Sequence, residues 1–436
     1  MFRQEKKYYA RAFLYALAMA AVLLAPFVLL DGGYFVYYGD YNAQQIPFYK
    51  TCIEAVQSGN LGWNWRTDLG ANFVGSYSFY TLGSPFFWFA ALFPVEISQY
   101  LMAPLLALKI ACSSFFAFVY IRRFVTNPQH ALIGGLLYAF SGYSMYNIFF
   151  NHFHEAIVFF PLLLIGLEES VVNKRRGALA VAVAINAFVN YFFFIGECVF
   201  LVLYFVIRLI GDNRFRIGVR DFFCLAFEAV CGVLIAGVLF VPSIFQVLDV
   251  PRSTSMLNGW DFLFYNKNQR YGLILEAMFF PGEVPARTIM FEKADSKWSS
   301  VALFLPLFSM SGVIAMVKGA ATEASGRMKW LRIILPACLI IAMIPGLNSS
   351  FVLFNYSFYT RWFYMPELLC AMATVYVLEH EEFDLGFGAK FSAAAAGLMI
   401  VLTLLFPIKS DTTCCTRTTS ERCLTVYHSC KGNDPL

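Results

Sequence analysis

The sequence predicts an all-α polytopic membrane protein of about 11 transmembrane helices, and three observations lead there. Hydrophobic residues make up 59% of the 436 positions and charged residues only 14%, against roughly 45–50% and 25% in soluble domains. The mean hydropathy is +0.62. The apolar residues also gather into runs close to the roughly 20 residues a helix needs to cross a hydrocarbon core. Lipid offers backbone polar groups no partner, so such runs read as helices and the polar stretches as loops. A soluble enzyme is excluded. The net charge of +4 is too small for a nucleic-acid footprint, so the expected partner is the bilayer and no nucleic acid is expected.

The first run, about Ala12 to Leu30, follows Arg3, Lys6, Lys7 and Arg11. It is too long for a cleaved signal core and reads as an anchor with a cytoplasmic N-terminus. Further runs lie near 99–121, 131–150, 156–172, 178–194, 195–210, 222–242, 299–317, 331–347, 360–378 and 391–407. Arg122 and Arg123, Lys174 to Arg176, Arg208 to Arg220, Lys318 to Arg332, and Lys390 then fall on the cytoplasmic side, as the positive-inside rule requires. Two long loops, about 31–98 and 243–298, fall on the other side. Residues 1–408 form one membrane domain, and 409–436 read as an unstructured polar tail holding Cys414, Cys415, Cys423 and Cys430. The other seven cysteines stand singly among apolar residues with no zinc spacing. There is no P-loop, dinucleotide fingerprint or kinase set, and no internal repeat or pair of broken helices that would favour a transporter.

The first outer loop opens on Tyr37-Tyr38-Gly39-Asp40-Tyr41-Asn42-Ala43-Gln44-Gln45-Ile46-Pro47-Phe48, a carboxylate at a membrane exit followed by two amides. Asp40 is a candidate catalytic base; its plainer role is to cap the following helix. Ile46, Tyr49, Ile53 and Val56 recur at helical spacing, which predicts an interfacial helix with Lys50, Glu54 and Gln57 off the stripe. Trp63, Trp65, Tyr77, Phe79, Tyr80 and Trp88 form an aromatic belt suited to head groups or to sugar stacking.

The basic anchor, Gly39-Asp40 with Gln44 and Pro47-Phe48, the Trp63 to Gly70 stretch, Tyr138-Ala139-Phe140-Ser141-Gly142-Tyr143, and Pro161 to Leu164 with Gly166-Leu167-Glu168 together resemble the bacterial YfhO membrane-protein family over about residues 8–408. Members of that family are similar to the GT-C glycosyltransferases. The resemblance therefore implies a bacterial plasma-membrane enzyme that takes a sugar from a polyprenyl-phosphate donor at the outer leaflet. The implied acceptor is an envelope polymer of the teichoic-acid kind or a glycolipid. Family members are usually longer, with further spans and an outer domain, so the resemblance also implies a truncated member. No cofactor is required, and a divalent cation stays open.

On that reading Asp40 is the base, while Arg361, in Tyr359-Thr360-Arg361-Trp362-Phe363, is the first candidate to hold the donor phosphate. Its plainer role is a snorkelling interfacial arginine. Arg270 and Lys267 are further phosphate candidates, and Arg252 and Arg287 are weaker ones. Gln44, Trp63, His152, His154 and Glu197 are candidate substrate contacts. His152 and His154 are two residues apart and diverge on a helix, so no metal site is expected. Lys109 and Glu228 are buried charges without an assigned role. The competing functions are a lipid-linked sugar flippase and a noncatalytic envelope-assembly protein.

Overall fold

The helices break where capping side chains and prolines demand it, and these breaks set the architecture. The computed structural model describes residues 2–67, 69–248, 255–283, 290–294, 298–319 and 326–405. The tail from 409 onwards, with its four cysteines, lies outside the described residues, as do Arg252 and Arg287. The chain divides into two compact units, 1–396 and 397–436, and the site belongs to the first.

After α1 (Phe2–Leu30) a single π turn, Tyr41–Gln45, leads into α2 (Ile46–Ser58). A two-stranded antiparallel hairpin follows, β1 (Trp63–Asn64) and β2 (Ala71–Asn72), with Trp63 opposite Asn72. Two short helices complete this loop, α3 (Phe73–Tyr77) and α4 (Pro85–Ala90), the latter capped by Ser84, whose hydroxyl accepts from the Phe87 amide. The predicted stripe on α2 is met at Tyr49 and Ile53, which are buried together with Cys52 and Ala55. Lys50 and Gln57 are exposed. Gln57 ties the helix down by donating to the carbonyls of Ala91 and Phe93 at 3.1 and 2.7 Å. This loop therefore packs with α1 and α5 as a second apolar core, built on Leu24, Tyr41, Tyr49, Phe73, Phe87 and Leu106.

The bundle contains α5 (Met102–Ile121), α6 (Pro128–Ala139), α7 (Gly142–Tyr146), α8 (Phe153–Val171), α9 (Ala178–Val189), α10 (Tyr191–Gly211), α11 (Val219–Ile235), α12 (Gly237–Leu248), α13 (Gln269–Phe279) and α14 (Ser311–Lys318). The helices Lys329–Met343, Pro345–Ser349, Tyr364–Glu379 and Leu385–Leu405 follow. Tyr364–Glu379 is buried on all sides, from Tyr364 to Val377, as befits the central helix of a bundle.

All-α membrane architecture is thus met, but the expectation of about 11 spans goes further than the helices do. Among the described residues four helices are long and apolar enough to cross a membrane: Lys6–Leu30, Val95–Ile121, Tyr191–Gly211 and Leu385–Leu405. The number rises to six if two bent pairs each count as one span: Val219–Ile235 with Gly237–Leu248, bent by 74°, and Lys329–Met343 with Pro345–Val352, bent by 101°. These bends also correct the reading that broken helices are absent.

Several expected runs are cut short for local reasons. The run 131–150 ends as a helix at Ala139 because Ser141 caps a new turn, accepting from the Ser144 amide. The resulting 12-residue α6 reaches only about 18 Å at 1.5 Å per residue. The boundary expected at 194 falls at Asn190, whose side chain accepts from the amides of Phe192 and Phe193. In the run 299–317, Pro306 and the left-handed Leu307 and Ser309 (φ 65° and 47°) delay the helix to Ser311. Hydropathy counts apolar residues and is blind to these caps.

Candidate functional site

Gly39 sets the position of the candidate base. Its φ is +59°, and a Cβ there would lie 2.9 Å from the Phe149 ring, so an L side chain would meet both backbone strain and a clash. The bend lays Gly39, the residue before Asp40, against the stacked pair Phe149 and Trp298, whose ring centroids are 4.8 Å apart. Asn42 secures the bend: its side chain donates to the Tyr37 carbonyl at 2.6 Å and accepts from the Tyr37 amide at 3.1 Å. Asp40 stands at the N-terminus of the π turn, yet its carboxylate makes no capping bond. The plain capping role is therefore not the one it fills.

Tyr80 reports what that carboxylate faces. Its phenol is held above the usual range by burial and then by the negative charge of Asp40, while the positive charge of Arg361 pulls the other way. Asp40 and Arg361 thus act on one hydroxyl. Arg361 lies just before the helix Tyr364–Glu379, its guanidinium 3.9 Å from the Tyr359 ring centre, 5.0 Å from Phe153, 5.4 Å from Phe192 and 5.5 Å from Phe150. Rings on several sides hold a cation by their quadrupoles and limit its hydration. Tyr143 fixes the backbone here by donating to the Arg361 carbonyl.

His152 closes the cluster. It is buried, and Nδ1 lies 3.0 Å from Gln45 Oε1. Its ring packs against Phe79 at 4.6 Å and Tyr80 at 4.9 Å. Burial first, then the charges of Arg361 and Lys109, hold the imidazole well below its ordinary pKa, so it stays neutral. His152 Nε2 and Gln45 Nε2 are buried without a hydrogen-bond partner among the described residues. Buried polar atoms are rarely left so.

An ion pair underlies this layer. Lys109 Nζ lies 2.8 Å from Glu155 Oε1 and donates to Asn151 through both its backbone carbonyl and its side chain, at 3.1 Å each. Ser84 donates to the same Glu155 oxygen at 2.5 Å. One buried pair thus joins α5, α8, the Asn151 turn and the first outer loop.

Asp40, His152 and Arg361 are brought together, and the other candidates are placed elsewhere. Gln44 is half-buried, and it is the neighbouring Gln45 whose side chain meets His152. Trp63 is 53% exposed on the hairpin and packs on Trp65 rather than on the cluster. His154 is buried and senses the charge of Lys109. Glu197 is buried and accepts from the Tyr364 hydroxyl at 2.8 Å. Lys267 is exposed. Arg270 is buried, donates to the Phe358 carbonyl and lies 5.4 Å from the Tyr265 ring. Among the described residues no group of three or more His, Cys, Asp or Glu could hold a metal ion.

The sequence reading passed over Gln45, Tyr80 and the Lys109–Glu155 pair. Only Lys109 carried a signal, as a charge inside an apolar run. Neither the curated proteins nor the solved structures contain a match to this chain. A family model described as bacterial membrane protein YfhO matches residues 11–428, running past 408 into the polar tail. The chain belongs to the YfhO family.

Proposed function

We propose that this YfhO-family chain is a membrane glycosyltransferase that moves a sugar from a polyprenyl-phosphate donor to a hydroxylated envelope polymer, of the teichoic-acid kind, or to a glycolipid at the outer leaflet of the plasma membrane. The observation that carries the reading is the ring-lined seat of Arg361 near the buried His152 and Gln45, whose Nε2 atoms have no hydrogen-bond partner among the described residues, with Asp40 and Arg361 both acting on Tyr80. The acceptor oxygen attacks the anomeric carbon, and a new glycosidic bond forms. The bond from that carbon to the phosphate oxygen breaks, the hydroxyl proton passes to the Asp40 carboxylate, and polyprenyl phosphate departs with the bonding electrons. A carboxylate suits the base, since proton transfer by a positioned group contributes roughly 10²–10⁴-fold. Arg361, in its ring-lined seat, suits the negative charge that gathers on the leaving phosphate. Neutral His152 and Gln45, each with an unused nitrogen, suit sugar or phosphate oxygens.

The test is sugar transfer by the purified chain from radiolabelled polyprenyl-phosphate sugar to crude envelope acceptor. Asp40→Asn is expected to lower the rate by about 10²–10⁴-fold at unchanged membrane abundance. Full activity of the variant would end the reading. A lipid-linked sugar flippase is the second reading, favoured by the two bent helix pairs, because broken helices commonly line transport sites. Transfer in detergent, where sidedness is lost, separates the two.

A further inference from the structure

A cavity of about 300 Å³ is walled by Tyr37, Phe140, Ser141, Tyr146, Glu283 and Phe304. Its size is at the small end of the roughly 300–1,000 Å³ range of ligand sites. Backbone bonds hold its frame: the Gly142 amide donates to the Phe304 carbonyl at 2.6 Å, and the Leu303 amide to that of Ala277 at 3.0 Å. Close packing completes the wall, since a Cβ on Gly282 would stand 2.9 Å from Tyr146. Glu283 accepts from the Met290 amide at 3.0 Å. Behind it Glu276 is only 4% exposed, with Oε2 lacking a partner among the described residues.

We propose that this cavity binds a neutral, hydroxyl-rich sugar unit of the acceptor, with the Glu276–Glu283 pair taking its hydroxyls and Tyr37, Phe140 and Tyr146 covering its apolar face. Aromatic faces beside carboxyl groups suit a sugar ring, which has an apolar C–H face and a rim of hydroxyls that both donate and accept. The charge balance disfavours a cation. Burial and the neighbouring Glu283 push Glu276 up to about 8, so the pair keeps one proton near neutrality. Arg270 and Glu283 act in opposite directions on the Tyr146 hydroxyl in the cavity wall. A pair holding one proton can donate one hydrogen bond and accept others. Calling the ligand the acceptor rests on the glycosyltransferase reading; the binding itself does not.

Saturation-transfer NMR on the purified full chain in nanodiscs, with glucose, galactose and N-acetylglucosamine as probes, tests the proposal. Binding of at least one sugar is expected, weakened about tenfold by Glu283→Gln, the loss of one strong hydrogen bond to a charged group. Tyr37→Leu, a change on a different wall, is expected to weaken it as well and serves if the first variant misfolds. The proposal is overturned if no sugar binds, if both folded variants bind as the wild type does, or if calcium or choline displaces the sugar. A chain that transfers sugar but binds none of the probes overturns the cavity alone. One that binds a probe, is weakened by these variants and transfers nothing supports the cavity and overturns the reading of the reaction.

Discussion

Two arginines set among aromatic rings at opposite ends of the bundle, Arg208 buried and Arg361 half-buried, differ in what surrounds them. At the end that carries Lys174 to Arg176, Arg208 is clamped by Glu168 through Nε–Oε1 and Nη2–Oε2 contacts of 3.0 Å each and also pairs with Asp212. Tyr204 donates to Glu168 at 2.6 Å, and Trp330 covers the guanidinium at 4.6 Å. Here the ions answer one another. At the other end, Arg361 has its rings and its neighbours Tyr80 and His152, and buried nitrogens of His152 and Gln45 have no hydrogen-bond partner among the described residues. Charges answered by opposite charges hold a fold together, whereas leftover polar capacity around a cation in an aromatic seat suits a polar guest.

The contrast breaks most sharply by substitution at the two arginines. Arg361→Gln is expected to cut sugar transfer by about 10²–10³-fold while costing less stability than the same treatment of Arg208. Arg208→Met leaves Glu168 buried and is expected to cost about 3–5 kcal/mol in thermal or denaturant unfolding. Its loss of activity should follow its loss of folded protein. Equal loss of fold from both variants would erase the distinction. The Lys109–Glu155 pair sharpens it further. Lys109→Met is expected to cost about 3 kcal/mol, and adding Glu155→Met should recover much of that, because the stranded charge is then gone. If the double variant is as unstable as the single one, the pair's worth lies in holding Asn151 and Ser84 rather than in the charges.

How much of this was legible in the sequence depends on the range of the interaction. The membrane class and the α2 stripe are local patterns, whereas the approach of Asp40 and Arg361, 321 residues apart, is not. Composition and spacing carry the first two. The number of spans was not legible, since Ser141, Asn190 and Pro306 divide apolar runs that hydropathy reads as continuous. Nor was the choice between Gln44 and Gln45, because a π turn shifts which amide faces His152, and the turn is set by packing of Tyr41 and Tyr49 in the second core. Tyr80 was one ring in an aromatic belt until the fold placed both charges beside it. Glu276 and Glu283 carried no signal in the sequence, because they meet only once α13 is packed.

Smaller effects test the neutral groups of the same end by pH. His152 is held below its ordinary pKa, so the unfolded chain binds more protons than the folded one below about pH 6.5. Stability should therefore fall as pH drops through that value, and His152→Gln should flatten the fall in thermal unfolding. Glu276 has the opposite sign. Its folded pKa of about 8 lies above the unfolded value near 4.3, so the folded state holds the extra proton between them and stability declines as pH rises across that window. Above about 8 the decline stops, because both states have then lost the proton. Glu276→Gln removes the titrating group and should leave the second outer loop equally resistant to proteolysis at about pH 6 and about pH 8, while the wild type is cut faster at the higher pH. A wild type whose cleavage rate does not change across that interval would mean that the two carboxyls do not share a proton, and the neutral rim of the cavity would have to be built from Tyr146 and Ser141 alone.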